Sequence, residues 1–178
     1  MSEMKTRVAI YIDGSNLYHK LKGLGIRRTS EFNYRGLCDF LLGDRRLVVC
    51  CYYVGVVRAK MDDFTSQVKR SNQQKFFSNL KSQGIEVKKG YLLESNGVFH
   101  EKSVDVQMAV DLLSDAFDDI YDVAILISSD TDIIPAIKKI KKLLKTLEYV
   151  GFYHAPSFGL KKHATIARIL TKEDLESF

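Results

Sequence analysis

Val8-Ala9-Ile10-Tyr11-Ile12-Asp13-Gly14-Ser15-Asn16 is the stretch whose reading decides the fold. It begins as an unbroken apolar run and ends on a carboxylate followed by small and polar residues. A half-exposed strand alternates apolar and polar positions, whereas a parallel strand covered on both faces is apolar throughout. The run from Arg7 to Asp13 is therefore expected to be a central parallel strand. Asp13-Gly14-Ser15-Asn16 reads as the turn into a helix, because Asp, Ser and Asn all cap helices well.

Working outward, four more strand-like runs follow at Leu47 to Val57, Ile85 to Leu93, Val123 to Ser128 and Thr146 to Tyr153. Helical patterns lie between them at Asn16 to Lys22, Tyr34 to Leu42, Met61 to Gln83, Ser103 to Ile120 and Asp132 to Leu144. On the long third helix the expected inner face is Phe64, Val68, Phe76, Phe77 and Leu80. Alternation of strand and helix predicts an α/β fold, a three-layer α/β/α Rossmann-like sandwich around a mostly parallel sheet. Asn96-Gly97 between short apolar stretches predicts a small antiparallel hairpin. With no repeat, no low-complexity tract and only two prolines, Pro135 and Pro156, one domain over residues 1–178 is the simplest organisation.

Composition narrows the classes of function. The 178 residues are 46% apolar and 28% charged, ordinary for a globular chain, and no apolar run reaches the roughly 18 residues of a membrane span. Met1 to Arg7 is polar and shows no leader pattern, so a cytoplasmic protein is expected. Cys38, Cys50 and Cys51 form neither a disulfide framework nor a zinc spacing and read as buried thiols. The formal charge of +5 suits a phosphate-bearing partner, though charge alone is weak ground.

The chemistry is carried by acids. Asp13 ends the first strand, and Asp130 and Asp132 follow the fourth across Ser128-Ser129. Ligands of open α/β sheets bind beyond the carboxyl ends of the strands, where strand order reverses. If those two strands are neighbours, the three acids meet there. Ala109, Leu112, Leu113, Ala116, Phe117 and Ile120 mark an apolar stripe on the next-to-last long helix, and Asp105 lies one turn before it on the same face. Lys102 shares that face, while Asp111 lies nearly opposite it. Four facing carboxylates repel unless a cation neutralises them, and hard oxygen ligands without Cys or His suit Mg²⁺ or Mn²⁺. Such an ion lowers the pKa of water and stabilises charge on phosphate. Each acid alone also reads as a helix-capping or first-turn residue; a shared cation site accounts for all of them together.

Ile12-Asp13-Gly14-Ser15-Asn16-Leu17, Lys102-Ser103-Val104-Asp105-Val106 and Leu126-Ile127-Ser128-Ser129-Asp130-Thr131-Asp132 resemble the NYN domain family, in its LabA-like (DUF88) branch within the PIN-like nucleases. The resemblance implies a PIN-like fold of central strand order 3-2-1-4-5 and a Mg²⁺- or Mn²⁺-dependent ribonuclease acting on single-stranded or structured RNA. It implies that Asp13, Asp105, Asp130 and Asp132 hold metal, with Asn16 orienting water or the scissile phosphate. Lys102, Ser15 and the hydroxyls of Ser128, Ser129 and Thr131 would surround the substrate or support the turn. Ser129 stands where the family commonly has glycine. A non-catalytic module that binds RNA or protein on the same fold is the alternative, and a homo-oligomer stays open.

Basic residues supply two candidate RNA contacts. Arg58, Lys60, Lys69 and Arg70 follow the second strand into the long helix and are favoured as phosphate contacts. Lys138, Lys141, Lys142 and Lys145 read first as a solvated helix face. Lys161, Lys162 and His163 read as a surface patch. Tyr11, Tyr18, Tyr52, Tyr53 and Phe64 could stack on bases if exposed, but packing is expected for most. The four histidines, His19, His100, His154 and His163, form no metal spacing.

Overall fold

A computed structural model describes residues 5–26, 28–56, 64–95, 98–102 and 104–178. Seven strands are described: β1 (Arg7–Asp13), β2 (Arg46–Gly55), β3 (Glu86–Ser95), β4 (Val98–Lys102), β5 (Val123–Ile127), β6 (Thr146–Phe152) and β7 (Ile166–Leu170). They form one sheet of order β4-β3-β2-β1-β5-β6-β7, in which only the β3–β4 pair is antiparallel. The six parallel strands thus run 3-2-1-4-5-6 when counted alone, extending the expected central order by β7. The hairpin is present, although the Asn96-Gly97 turn itself lies outside the described residues.

Among the described residues seven helices accompany the sheet: α1 (Gly14–Gly23), α2 (Tyr34–Leu42), α3 (Phe64–Ser82), α4 (Val104–Phe117), α5 (Ile134–Lys142), α6 (Phe158–His163) and α7 (Lys172–Leu175). The last expected helix begins with a separate 3₁₀ turn over Thr131–Ile133, because Pro135 falls at the start of α5. Among the described residues no helix is long and apolar enough to cross a membrane.

The unbroken apolar character of β1 has a direct cause. Val8, Ile10 and Ile12 pack into one core with α1 and α2, while Ala9 and Tyr11 pack into a second core with α4 and α5. Pairing of β1 with β5 sets Ile12 opposite Ile127, so Asp13 and Ser128 leave the sheet side by side. Asp13 is also the N-cap of α1 and accepts the Asn16 N–H at 2.9 Å. Gly14 between them is required by space. A Cβ there would stand 2.2 Å from the Tyr52 ring and 2.7 Å from the Tyr53 carbonyl oxygen.

On α3, Phe77 and Leu80 are buried as expected, but Val68 is 40% exposed, and the Phe64 side chain lies outside the described residues. Cys38, Cys50 and Cys51 are free and buried. Tyr11, Tyr52 and Tyr53 are core residues and cannot stack on a base, while Tyr18 is 36% exposed.

Candidate active site

A cleft of about 490 Å³ opens at the carboxyl end of β1 and β5, lined by Asp13, Ser15, Asn16, His19, Lys20, Val104, Asp105, Ser129 and Asp130. This is the crevice at which strand order reverses, since β1 connects outward to β2 on one side and borders β5 on the other. Three acids from three separate elements reach one pocket.

Asp13 is the buried member, only 5% exposed. Its two oxygens accept the Asn16 N–H at 2.9 Å and the Ser128 hydroxyl at 2.9 Å. Burial nevertheless pushes its carboxyl above the usual range, and the charge of Asp130 pushes the same way, against those two hydrogen bonds. The Ser128 hydroxyl in turn accepts the Asp130 N–H at 3.0 Å, and the Asp130 carboxylate caps the 3₁₀ turn by accepting the Asp132 N–H at 2.8 Å. Ser128 therefore joins the two acidic strand ends, which makes it a supporting residue and not an exposed substrate contact.

Asp105 enters from the first turn of α4, next to buried Val104. The geometry expected for it was different. The buried stripe of α4 is Val104, Met108, Leu112 and Ala116; Phe117 is 79% exposed and Ile120 lies beyond the helix end at 40%. Asp105 is exposed at the edge of the true stripe and lines the cleft from there. Asp111, expected on the outer side, is half-buried and accepts the Tyr53 hydroxyl at 2.8 Å, while Asp115 accepts the Tyr11 hydroxyl at 2.6 Å. The apolar residues of α4 are numerous enough to draw two stripes, and these acids belong on the inner side because tyrosines of β1 and β2 satisfy them. Both bonds pin α4 to the sheet and so fix the position of Asp105.

Asp132 is exposed and does not line the cleft; Thr131 is likewise exposed. Arg70 and Lys69 are exposed on α3 and do not line it either. Arg58, Lys60 and the side chain of Lys102 lie outside the described residues. Lys145 is not part of a solvated basic face: its side chain is 11% exposed and pairs with Asp119. Lys138, Lys141 and Lys142 are exposed.

Two polar lining residues escaped the reading of the sequence, His19 and Lys20. The signal was available, since Asn16, His19 and Lys20 stand at i, i+3 and i+4 and share one face of α1. Lys20 donates to the Ala155 carbonyl at 2.9 Å, which holds its ammonium at the cleft rim.

Among the described residues no three carboxylate, histidine or cysteine side chains are gathered closely enough to form a closed metal cage. The donor set still fits a hard cation in an open site. Mg²⁺ keeps several of its waters and is usually held by one or two carboxylates together with substrate phosphate. Asp13, Asp130 and Asp105, all lining the cleft, supply that minimum.

A family model described as the NYN domain matches residues 7–168. A crystal structure of a protein of unknown function from Vibrio parahaemolyticus is similar at a TM-score of 0.72 and 22% identity, with 96% of each chain covered. At that identity the likeness speaks for the fold alone. No curated protein matches.

Proposed function

The chain belongs to the NYN domain family, a nuclease family of PIN-like fold type, and from that membership we propose that it is a Mg²⁺- or Mn²⁺-dependent ribonuclease that hydrolyses RNA phosphodiester bonds in the Asp13–Asp105–Asp130 cleft. The observation that carries this reading is Asp13. A carboxylate held at 5% exposure beside a second acid, with its proton affinity raised, costs folding stability that packing does not demand. Such a cost is expected where a group serves chemistry.

Asp13, Asp105 and Asp130, which line the cleft together, would hold the ion. When bound, a divalent ion supplies Lewis acidity and neutralises charge on the phosphate. Asn16 and the hydroxyls of Ser15 and Ser129 offer donors to phosphate oxygens from the cleft walls. Lys20 at the rim would attract the RNA backbone, with His19 beside it as a ring hydrogen-bonding group. Ser128, whose hydroxyl donates to the Asp13 carboxylate, is buried and also accepts the Asp130 N–H, so it is not presented as a nucleophile, and attack by water without a covalent enzyme intermediate is the consistent route. The test is cleavage of labelled RNA with Mn²⁺, with Mg²⁺ and with EDTA; cleavage unaffected by EDTA would sink the reading.

The placement of the acids separates them. Asp130→Asn is expected to lower cleavage by about 10²-fold or more, on the scale of losing a group that holds developing charge. Asp132→Asn, outside the cleft, is expected to stay within about threefold of the parent, because its backbone N–H and not its carboxylate supports Asp130. Single-turnover rates for the two variants decide between them, and equal losses would return Asp132 to the ligand set.

Protons compete with the cation for Asp13. Because its carboxyl lies above the usual range, Mn²⁺ affinity is expected to fall as pH drops through that raised value, by about tenfold per unit once the carboxyl is protonated. Calorimetric titration between pH 5 and 8 checks this, and a flat profile would exclude Asp13 as a ligand. One observation favours a non-catalytic RNA- or protein-binding module instead, namely the open arrangement of the acids. That reading predicts RNA binding insensitive to EDTA and no products.

A further inference from the structure

Between Ile133 and Ile166 the chain carries seven lysines and a single acid, Glu148. Glu148 is 3% exposed and already paired with Arg45 and Arg168, so it neutralises none of those lysines. Lys145 pairs with Asp119, and Lys139 lies with Asp118 in the hollow between α4 and α5. Four others gather where α5 meets α6. His163, half-buried at the end of α6, loses proton affinity to desolvation first and then to the charges of Lys138, Lys162 and Lys141. Lys141 also donates to the His163 carbonyl at 3.1 Å. Lys138, Lys141 and Lys162 therefore surround one ring, and they and Lys161 are exposed. No ion pair among the described residues engages any of the four. Like charges held together without acids repel one another, and a polyanion is the partner that relieves them.

The patch is continuous with the acidic cleft through the connection between β6 and α6. Because β6 is parallel to β5, that connection leaves the sheet at the end where Asp13 and Asp130 stand. Two contacts tie it to the cleft. Lys20, which lines the cleft, donates to the Ala155 carbonyl at 2.9 Å. α6 packs against the 3₁₀ turn that Asp130 caps, so closely that a Cβ on Gly159 would stand 3.0 Å from the Thr131 methyl. Two rings mark the way, since Tyr153 is 75% and Phe158 78% exposed. Phe158, Lys161 and Lys162 stand at i, i+3 and i+4, so the ring and two ammoniums share one side of α6. α5 starts at the same end of the sheet and puts Lys138 and Lys141 about 6 and 10 Å below its first residue. A bare ring followed by spaced cations suits an unpaired strand, whose bases stack while its phosphates meet the charges.

We propose that Phe158, with Lys161, Lys162, Lys138 and Lys141, forms a binding surface for the unpaired RNA strand that continues out of the cleft. The surface rests on the ribonuclease reading for the identity of its partner and extends that reading beyond the scissile phosphate. Continuity with the cleft favours RNA over an acidic protein, since a strand held at the acids is carried over the β6–α6 connection onto these residues. The lysines set affinity, and the ring selects single strands, whose bases are free to stack.

Fluorescence anisotropy of a labelled, unstructured RNA with the full chain in EDTA reads binding apart from cleavage. Lys161→Ala/Lys162→Ala is expected to weaken binding about tenfold and to flatten the slope of log affinity against log salt by about 1.4, at about 0.7 per phosphate contact. Phe158→Ala is expected to weaken binding about tenfold with the slope unchanged, because stacking and not charge is removed. Lys75→Ala/Lys81→Ala takes the same charge from α3, on the opposite face of the sheet, and is expected to bind as the parent does. All five positions are exposed, and circular dichroism confirms that each variant is folded. An equal loss in the α3 variant overturns the surface, as does parental binding by Phe158→Ala, a parental slope in the α6 lysine variant, or polyglutamate that competes as well as RNA. The surface and the nuclease reading fail separately. Metal-dependent cleavage by a chain whose RNA affinity ignores Phe158 and both lysines removes the surface and keeps the nuclease. Affinity lost in these variants of a chain that cuts no RNA keeps the surface and removes the nuclease.

Discussion

Asp13→Asn is expected to lose cation-dependent RNA cleavage by on the order of 10³-fold and, in cation-free solution at neutral pH, to melt higher than the parent. The two effects share one cause. Asp13 is buried, its proton affinity is raised first by that burial, and the charge of Asp130 adds to it. A carboxyl whose folded value lies above its unfolded value of about 4 is fully tolerated only below that pH. The stability is then lost as pH rises through the raised folded value. Asparagine keeps the oxygen that accepts the Asn16 N–H and carries no charge, so it removes the charge cost without uncapping α1, while its amide N–H donates to the Ser128 oxygen where Asp13 had accepted that hydroxyl. Relief of a functional strain is commonly worth about 0.5–2 kcal/mol, and each kcal/mol moves the melting temperature of a chain this size by about 2–4 °C. The advantage of the variant should shrink toward pH 4 and should vanish when the parent is given Mn²⁺. A variant that melts lower at neutral pH and still cleaves would remove Asp13 from both roles.

The parts of this molecule that could be read from its sequence are those set by local pattern. β1 was legible because both of its faces are apolar, and α2 because its periodic residues coincide with the helix at Tyr34–Leu42. From strand ends and strand order it followed that Asp13 and Asp130 share a crevice. The end of the chain was less legible. β7 is five residues with a mostly exposed or half-buried pattern, and α6 and α7 are six and four residues, too short for periodicity to rise above chance. α4 misled for the opposite reason. Its outward seam is as apolar as its inward one, so sequence alone could not say which stripe met the sheet. The tyrosines that settle the matter, Tyr11 and Tyr53, sit about 100 and 60 residues from their partners Asp115 and Asp111.

Glu148 is the feature furthest from any local signal, and its partner should be the most costly side chain to remove. In Thr146–Phe152 it is the one acid of a buried parallel strand, at 3% exposure. Arg45 meets it with two nitrogens at 2.6 and 3.3 Å, and Arg168 meets it at 3.0 Å. The same arginines donate to the last carbonyls of α2. Arg45 reaches Leu42 O at 2.8 Å and Leu41 O at 2.7 Å, and Arg168 reaches Leu41 O at 2.9 Å. These carbonyls have no partner within the helix, and a guanidinium there also complements the helix dipole. Arg45→Ala therefore leaves a buried carboxylate with Arg168 as its remaining partner and at once strips the Leu42 carbonyl of its donor, while Leu41 keeps Arg168. A loss of about 3–5 kcal/mol is expected, seen as a fall of about 10 °C or more in melting temperature. High salt should hardly reduce the difference, because buried pairs are poorly screened. Arg45→Met combined with Glu148→Leu should recover most of the loss, since replacing a whole buried pair with apolar groups is often near neutral. If the single variant melted within about 2 °C of the parent, the pair would be no more than a surface contact, and the low exposure of Glu148 would need another explanation.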